Sequence, residues 1–185
     1  MTEAEKVLAI ALGEVGYLEK ETNAALDHAT DNAGDENYTK YARDLDKLRF
    51  YNGRKNGYAW CDVFVEWCFV TAFGEEGALQ RTFQPKFFLF NKGAGCQYSF
   101  LYYADAGRSV EDPMPGDQIF FSSGPDTPIC HTGLVYALDE SYVYTVEGNT
   151  SPETGVVANG GTVAKKRYRR DDPKIAGYGR PDYKE

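Results

Sequence analysis

The chain has 185 residues, of which 42% are hydrophobic and 15% aromatic, and it carries a formal net charge of −8. At roughly 100–200 residues per domain, this length predicts a single domain over residues 1–185, with room for a full core. The apolar content excludes a disordered chain, and no apolar run approaches the ~20 residues that a membrane span requires. Because an acidic protein repels phosphate backbones, the charge disfavours nucleic acid as a partner.

The first part of the chain, about residues 1–107, has helical patterns. Apolar residues at i, i+3 and i+4 spacing predict helices over residues 2–15, 38–48 and 60–73, and a short helix over 98–106. Thr2 and Glu5 form a capping box at the start of the first helix. The remainder of 80–107 is ambiguous.

The second part, about residues 113–182, has strand patterns. Strands are predicted over 118–121, 130–138, 142–149 and 162–170, with turns between them. Helices followed by strands favour an α+β fold in which N-terminal helices pack on an antiparallel sheet. The last strand contains the basic run 165–170, whose partial alternation is typical of a solvated edge strand rather than a polyanion-binding patch.

Cys61 is the first candidate for a reactive group. It follows a glycine-broken loop and opens a predicted helix, and a helix N-terminus lowers the pKa of a thiol and so raises the fraction of nucleophilic thiolate. The alternative is that Cys61 is a small buried hydrophobic residue. The other cysteines, Cys68, Cys96 and Cys130, are predicted to be free thiols that can be replaced without loss of activity. No pair has Cys-x-x-Cys spacing, so no structural zinc site is expected.

A thiolate enzyme needs a base, and His131 is the stronger of two candidates because His28 lies in an acidic, exposed loop. If the strands over 130–138 and 142–149 form a hairpin with paired numbers summing to 280, His131 lies opposite Asn149. Glu147 then lies opposite Gly133, one diagonal from His131. A shift of two residues would place Glu147 directly opposite His131. In both registers the three polar side chains share one face, and Gly133 leaves room for the glutamate to reach the imidazole.

Two possible metal sites are set aside. Cys130 adjoins His131, but adjacent strand residues point to opposite faces. The acidic loop with Asp27, Asp31, Asp35 and Glu36 matches no EF-hand spacing, so a solvated loop is expected. We therefore predict neither a metal nor a cofactor.

Five segments together carry a resemblance to a known family. They are YAWCDVFVEW (58–67), PGDQIFF (115–121), HTGLV (131–135), VEGNT (146–150) and GYGRP (177–181). In this order and spacing they resemble the CHAP domains, the cysteine- and histidine-dependent amidohydrolase/peptidase family of the papain-like superfamily. The resemblance covers roughly residues 50–182, and its last segment is similar to members from Gram-positive bacteria and their phages.

The resemblance implies a papain-like fold and a peptidoglycan hydrolase, either an N-acetylmuramoyl-L-alanine amidase or a peptide endopeptidase. It makes Cys61 the nucleophile, His131 the base, and Glu147 or Asn149 the group that orients the base. Some members carry glutamine before the nucleophile, where this chain has Trp60. The Cys61 backbone N–H and the Tyr58 side chain are therefore the candidate oxyanion donors, and Tyr58 and Trp60 are predicted to contact substrate. Residues 50–60 lack the acidic cluster through which some phage members bind calcium.

The predicted partner is bacterial cell-wall peptidoglycan, and the protein is expected to be a monomer without membrane insertion. The N-terminus lacks the basic and apolar regions of a secretory signal, so the expectation is a protein that acts on the wall outside the cell or is released from the cytoplasm as a phage endolysin. Two alternatives stay open: an amidase of small glutathione-like amides, and a catalytically silent wall-binding module whose aromatic residues stack on glycan.

Overall fold

A computed structural model describes residues 1–85, 94–124 and 126–184. Within these ranges the chain forms four helices: α1 (Glu3–Gly13), α2 (Lys40–Leu48), α3 (Cys61–Arg81) and α4 (Cys96–Asp105). The predicted capping box of Thr2 and Glu5 is present at the start of α1. Helix α3 is longer than predicted because a second helical segment continues past a kink at Gly74, whose φ of 72° interrupts the helix.

The strands of the described residues form one antiparallel sheet in the order β1-β6-β2-β3-β4-β5. They are β1 (Ser109–Val110), β2 (Gln118–Ser122), β3 (Ile129–Leu138), β4 (Tyr142–Thr150), β5 (Thr162–Arg169) and β6 (Ile175–Gly179). The α+β fold is confirmed, and so are the four predicted strands. In the described sheet β5 is an edge strand, with Lys165, Arg167 and Arg169 exposed and the residues between them buried.

Helix α3 packs its apolar side against β3 and β4, where Phe64 and Phe69 share a core with Leu134 and Val146. The approach is closest at Gly148, where a Cβ atom would lie 2.5 Å from Cβ of Phe64. A side chain at this position would force the first turn of α3 away from the sheet. Of the described residues, no helix combines the length and the apolar character needed to cross a membrane.

The β3–β4 hairpin has the predicted register at the end that carries the polar residues, but not at its turn. Leu134 pairs with Val146, a sum of 280, whereas Leu138 pairs with Val143 rather than Tyr142. A bulge between Val135 and Ala137 absorbs the extra residue of β3. On the side of the bulge that leads to His131, the side chains therefore lie on the predicted faces of the strands.

Candidate active site

Cys61 is the first residue of α3 and is only 5% exposed. The pKa of its thiol is held well below the usual value, first by the contact with Cys96 and then by the interaction with His131, which together outweigh the opposing effect of burial. The backbone N–H of Asp62 adds to the same effect. Cys61 therefore has the surroundings of a thiolate. Cys68, seven residues further along α3, is buried with a raised pKa because it is desolvated, as expected for an inert thiol.

His131 and Glu147 form a buried pair. Nε2 of His131 lies 2.8 Å from Oε2 of Glu147, and both side chains are fully buried. The contact depends on Gly133, because a Cβ atom there would lie 2.5 Å from Cγ of Glu147. The arrangement matches the predicted diagonal, and of the two candidate orienting groups Glu147 is the one that contacts His131.

Two hydroxyl groups complete the surroundings of the Glu147 carboxylate. Thr145 donates its hydroxyl to Oε1, and the Tyr168 hydroxyl donates to Oε2 at 3.1 Å. Thr145 lies two residues before Glu147 and so shares its face, whereas Tyr168 comes from β5, in the run interpreted as a solvated edge. Its alternation with arginines was the available signal that Tyr168 points inward. The buried carboxylate thus has three hydrogen-bond partners, His131, Thr145 and Tyr168.

The second ring nitrogen of His131, Nδ1, is buried and makes no hydrogen bond to an oxygen or nitrogen of the described residues. Because Nε2 is engaged by Glu147, Nδ1 is the atom available to the Cys61 thiol. Burial lowers the pKa of His131, but the interactions with Cys61 and Glu147 outweigh it and raise the pKa to about 10. A thiolate–imidazolium pair is thus the favoured charge state near neutral pH.

Cys96 is a residue of this site that the sequence analysis had placed outside it. Its Sγ lies 3.4 Å from Sγ of Cys61, and both thiols are free and buried. The two cysteines are 35 residues apart in the chain, and they meet because the first turns of α3 and α4 pack together. The expectation that Cys96 can be replaced without effect does not fit this contact.

Asn149 lies in the site region but is not a partner of His131. Its side chain is buried and makes two long hydrogen bonds. The Nδ2 of Asn149 donates to Oδ1 of Asn37 at 3.5 Å, and the Oδ1 of Asn149 accepts the Gly161 N–H at 3.4 Å. The cause is local, because Asn149 has φ of 53° at an irregularity of the β4–β5 pairing. The left-handed backbone breaks the alternation on which the shared face of Asn149 and His131 was predicted.

Trp60 is also misplaced by the sequence prediction. It is fully buried, and its indole N–H donates to Oε2 of Glu19 at 2.7 Å, so its ring is part of the core and not a substrate surface. Tyr58, in contrast, is 66% exposed. It lines a cleft of about 430 Å³ together with Arg54, Lys55, Ala59 and Ala94. Ala59 lies two residues before Cys61, and Ala94 lies two residues before Cys96.

The residues set aside as metal ligands occupy other surroundings. Asp27 forms a bidentate pair with Arg43 at 2.7 Å, and His28 is exposed and lies 3.4 Å from Asp31. Cys130 is exposed, whereas the adjacent His131 is buried, as expected for opposite faces of a strand. In the described parts of the chain, no group of three or more His, Cys, Asp or Glu side chains is placed to hold a metal ion.

Comparison with known proteins supports the fold. No family model and no curated protein matches the chain. Among solved structures, the crystal structure of Ly7917 matches with a TM-score of 0.52 and 11% sequence identity, over 96% of this chain and 62% of that chain. The chain therefore spans less than two thirds of the length of that structure, and at this identity the likeness shows a shared fold alone.

Proposed function

We propose that the protein is a cysteine-dependent amidohydrolase that cleaves an amide bond of peptidoglycan, with Cys61 as nucleophile, His131 as acid and base, and Glu147 as the orienting carboxylate. The observation that carries the proposal is the buried His131–Glu147 pair at 2.8 Å, which leaves Nδ1 for a Cys61 thiol whose pKa is lowered. A nucleophile, a base and a group that orients the base are the minimum for covalent acyl transfer.

The reaction follows from the charge state of these groups. The Cys61 thiolate attacks the carbonyl carbon of the substrate, and the backbone N–H of Cys61, at the start of α3, is a donor for the developing oxyanion. The His131 imidazolium donates its proton to the leaving amine as the C–N bond breaks. The neutral imidazole then takes a proton from water, whose oxygen attacks the thioester. Release of the carboxylic acid restores the thiolate–imidazolium pair.

Two features support a cell-wall peptide as substrate. The five motif segments resemble those of wall hydrolases, and the cleft that contains Tyr58 presents Arg54 and Lys55. In a chain of net charge −8, two cations in this cleft favour a substrate with free carboxylates, which wall peptides have. Tyr58 stays the predicted substrate contact of this cleft.

The test uses purified peptidoglycan and the full chain. Wild-type protein should reduce the turbidity of a wall suspension and release fragments with new amine and carboxylate ends, identified by mass spectrometry. Cys61→Ser should lose this activity while it keeps its melting temperature, and Cys130→Ser, an exposed thiol, is the matched control and should retain it. Lysis by a folded Cys61→Ser variant would refute the nucleophile. Wild-type cleavage of small glutathione-like amides without action on the wall would refute the substrate class.

A further inference from the structure

We infer that Cys96 is a positioning residue of this site, whose S–H donates to the Cys61 thiolate and holds that sulfur beside His131. The inference deepens the proposed function, since it concerns the nucleophile of the same reaction. It assigns a role to a second thiol that the Cys–His–Glu reaction does not itself require.

The first support is the geometry of the two sulfurs. They lie 3.4 Å apart, within hydrogen-bond range for sulfur and well beyond the ~2.05 Å of a disulfide. Both side chains belong to one apolar cluster with Tyr103 and Phe120, where Cys61 is 5% and Cys96 is 6% exposed. Little water can therefore reach the charge on Cys61, so a protein donor at this distance has a large effect on it.

The second support is the way in which Cys96 is held. Asp62, the residue after Cys61, is buried and accepts two hydrogen bonds from the first turn of α4. Its Oδ2 accepts the Gly95 N–H at 2.9 Å, and its Oδ1 accepts the Ser99 hydroxyl at 2.8 Å. These bonds attach the start of α4 to the start of α3, and each chain segment carries one of the two cysteines. The S···S contact is therefore built into the packing of the two helices.

The third support is the distribution of charge. Two adjacent thiols do not both ionise readily, and the thiol beside His131 is the better site for the negative charge. The Cys61 contact and burial raise the pKa of Cys96 well above its usual value, so Cys96 keeps the proton that it donates. The titratable groups that act on Cys61 come from several elements: Tyr51 before α3, Asp62 in α3, Cys96 in α4, Cys130 and His131 in β3, and Glu147 behind His131.

The test measures the pH dependence of Cys61 alkylation by iodoacetamide, read by peptide mass spectrometry, and needs no substrate. In Cys96→Ala the midpoint should rise by about one pH unit, because an S–H is a weak donor whose loss costs the thiolate roughly tenfold in population. In Cys96→Ser the midpoint should return most of the way to the wild-type value, since the serine hydroxyl can donate to the Cys61 thiolate. Ser99→Ala, which removes one bond to Asp62, should give a smaller rise. Cys68→Ala, in the same helix, is the control and should leave the midpoint unchanged.

An unchanged midpoint in Cys96→Ala would overturn the inference, and so would a shift that Cys96→Ser does not reduce, since that would be an effect of packing. If Cys96→Ala fails to fold, Ser99→Ala decides, and a wild-type midpoint in Ser99→Ala would then overturn the inference. The proposed function is tested separately. A protein that shows these shifts but does not cleave peptidoglycan would refute the substrate and leave the role of Cys96 intact.

Discussion

Replacing Glu147 by glutamine tests the link between His131 and its orienting group most directly. The amide has nearly the same shape as the carboxylate, so the fold should tolerate it, but it carries no charge. It loses the charged acceptor 2.8 Å from Nε2 of His131, and its amide must adapt to the hydroxyls of Thr145 and Tyr168. The imidazolium should become less stable and the ring less firmly oriented.

The size of the effect follows from the burial of the pair. Both side chains are fully buried, and breaking a buried ion pair typically costs about 3–5 kcal/mol. If most of this cost falls on the transition state, kcat/KM decreases by about 10²–10⁴, at ~1.4 kcal/mol for each factor of ten. The pKa of His131, about 10 in the intact site, should fall, since its two supporting partners are Cys61 and Glu147. A charge-assisted hydrogen bond of about 1.5–3 kcal/mol corresponds to a shift of roughly one to two pH units.

The assay is the pH profile of kcat/KM on peptidoglycan, together with the melting temperature. Wild-type activity requires protonated His131, so its alkaline limb should lie near pH 10. In Glu147→Gln this limb should move to lower pH as the maximum decreases. Glu140→Gln, an exposed position at the turn of the same hairpin, is the matched control and should change neither. A folded Glu147→Gln variant with the wild-type rate and the wild-type alkaline limb would refute the assigned role of Glu147.

Three further changes test the surroundings of the site. Gly133→Ala places a Cβ atom 2.5 Å from Cγ of Glu147, so it should destabilise the fold by about 1–3 kcal/mol and separate Glu147 from His131; a wild-type melting temperature and rate would contradict this. Asn149→Ala should cost about 1–2 kcal/mol through its φ of 53° and leave the pH profile unchanged, since its amide does not bond to His131; a shifted profile would restore Asn149 as an orienting group. Diamide, which oxidises pairs of thiols, should take two hydrogens from Cys61 and Cys96 and join the two sulfurs in a disulfide. Activity should be lost, dithiothreitol should restore it, and the peptide map should show an intramolecular cross-link between these two cysteines. Cross-linking of other cysteines instead would show that the 3.4 Å contact is not maintained.

The parts of the site that could be predicted from the sequence depend on residues close to one another in the chain. Cys61 opens a helix because an apolar helical pattern follows a glycine-rich loop, and that requires only local sequence. His131, Gly133 and Glu147 belong to one hairpin, where the period of two assigns faces and a short turn restricts the register. Even a bulge near the turn did not disturb the outcome, because it compensated for an error of one residue at Leu138.

The rest required the tertiary structure. The period of two cannot anticipate the left-handed φ of Asn149, which turns its amide toward Asn37 and Gly161. Nor does local sequence show that Trp60, next to the nucleophile, is turned into the core by a hydrogen bond to Glu19.

By itself the sequence determined the α+β order of elements, the helix that begins at Cys61 and the hairpin that brings Glu147 to His131, since each follows from spacing over a few residues. Only the tertiary structure decided that Cys96 touches Cys61 and that Tyr168 supports Glu147. Those contacts join separate elements, α3 with α4 and β4 with β5. Their geometry is set by how whole helices and strands pack and not by any pattern within one segment.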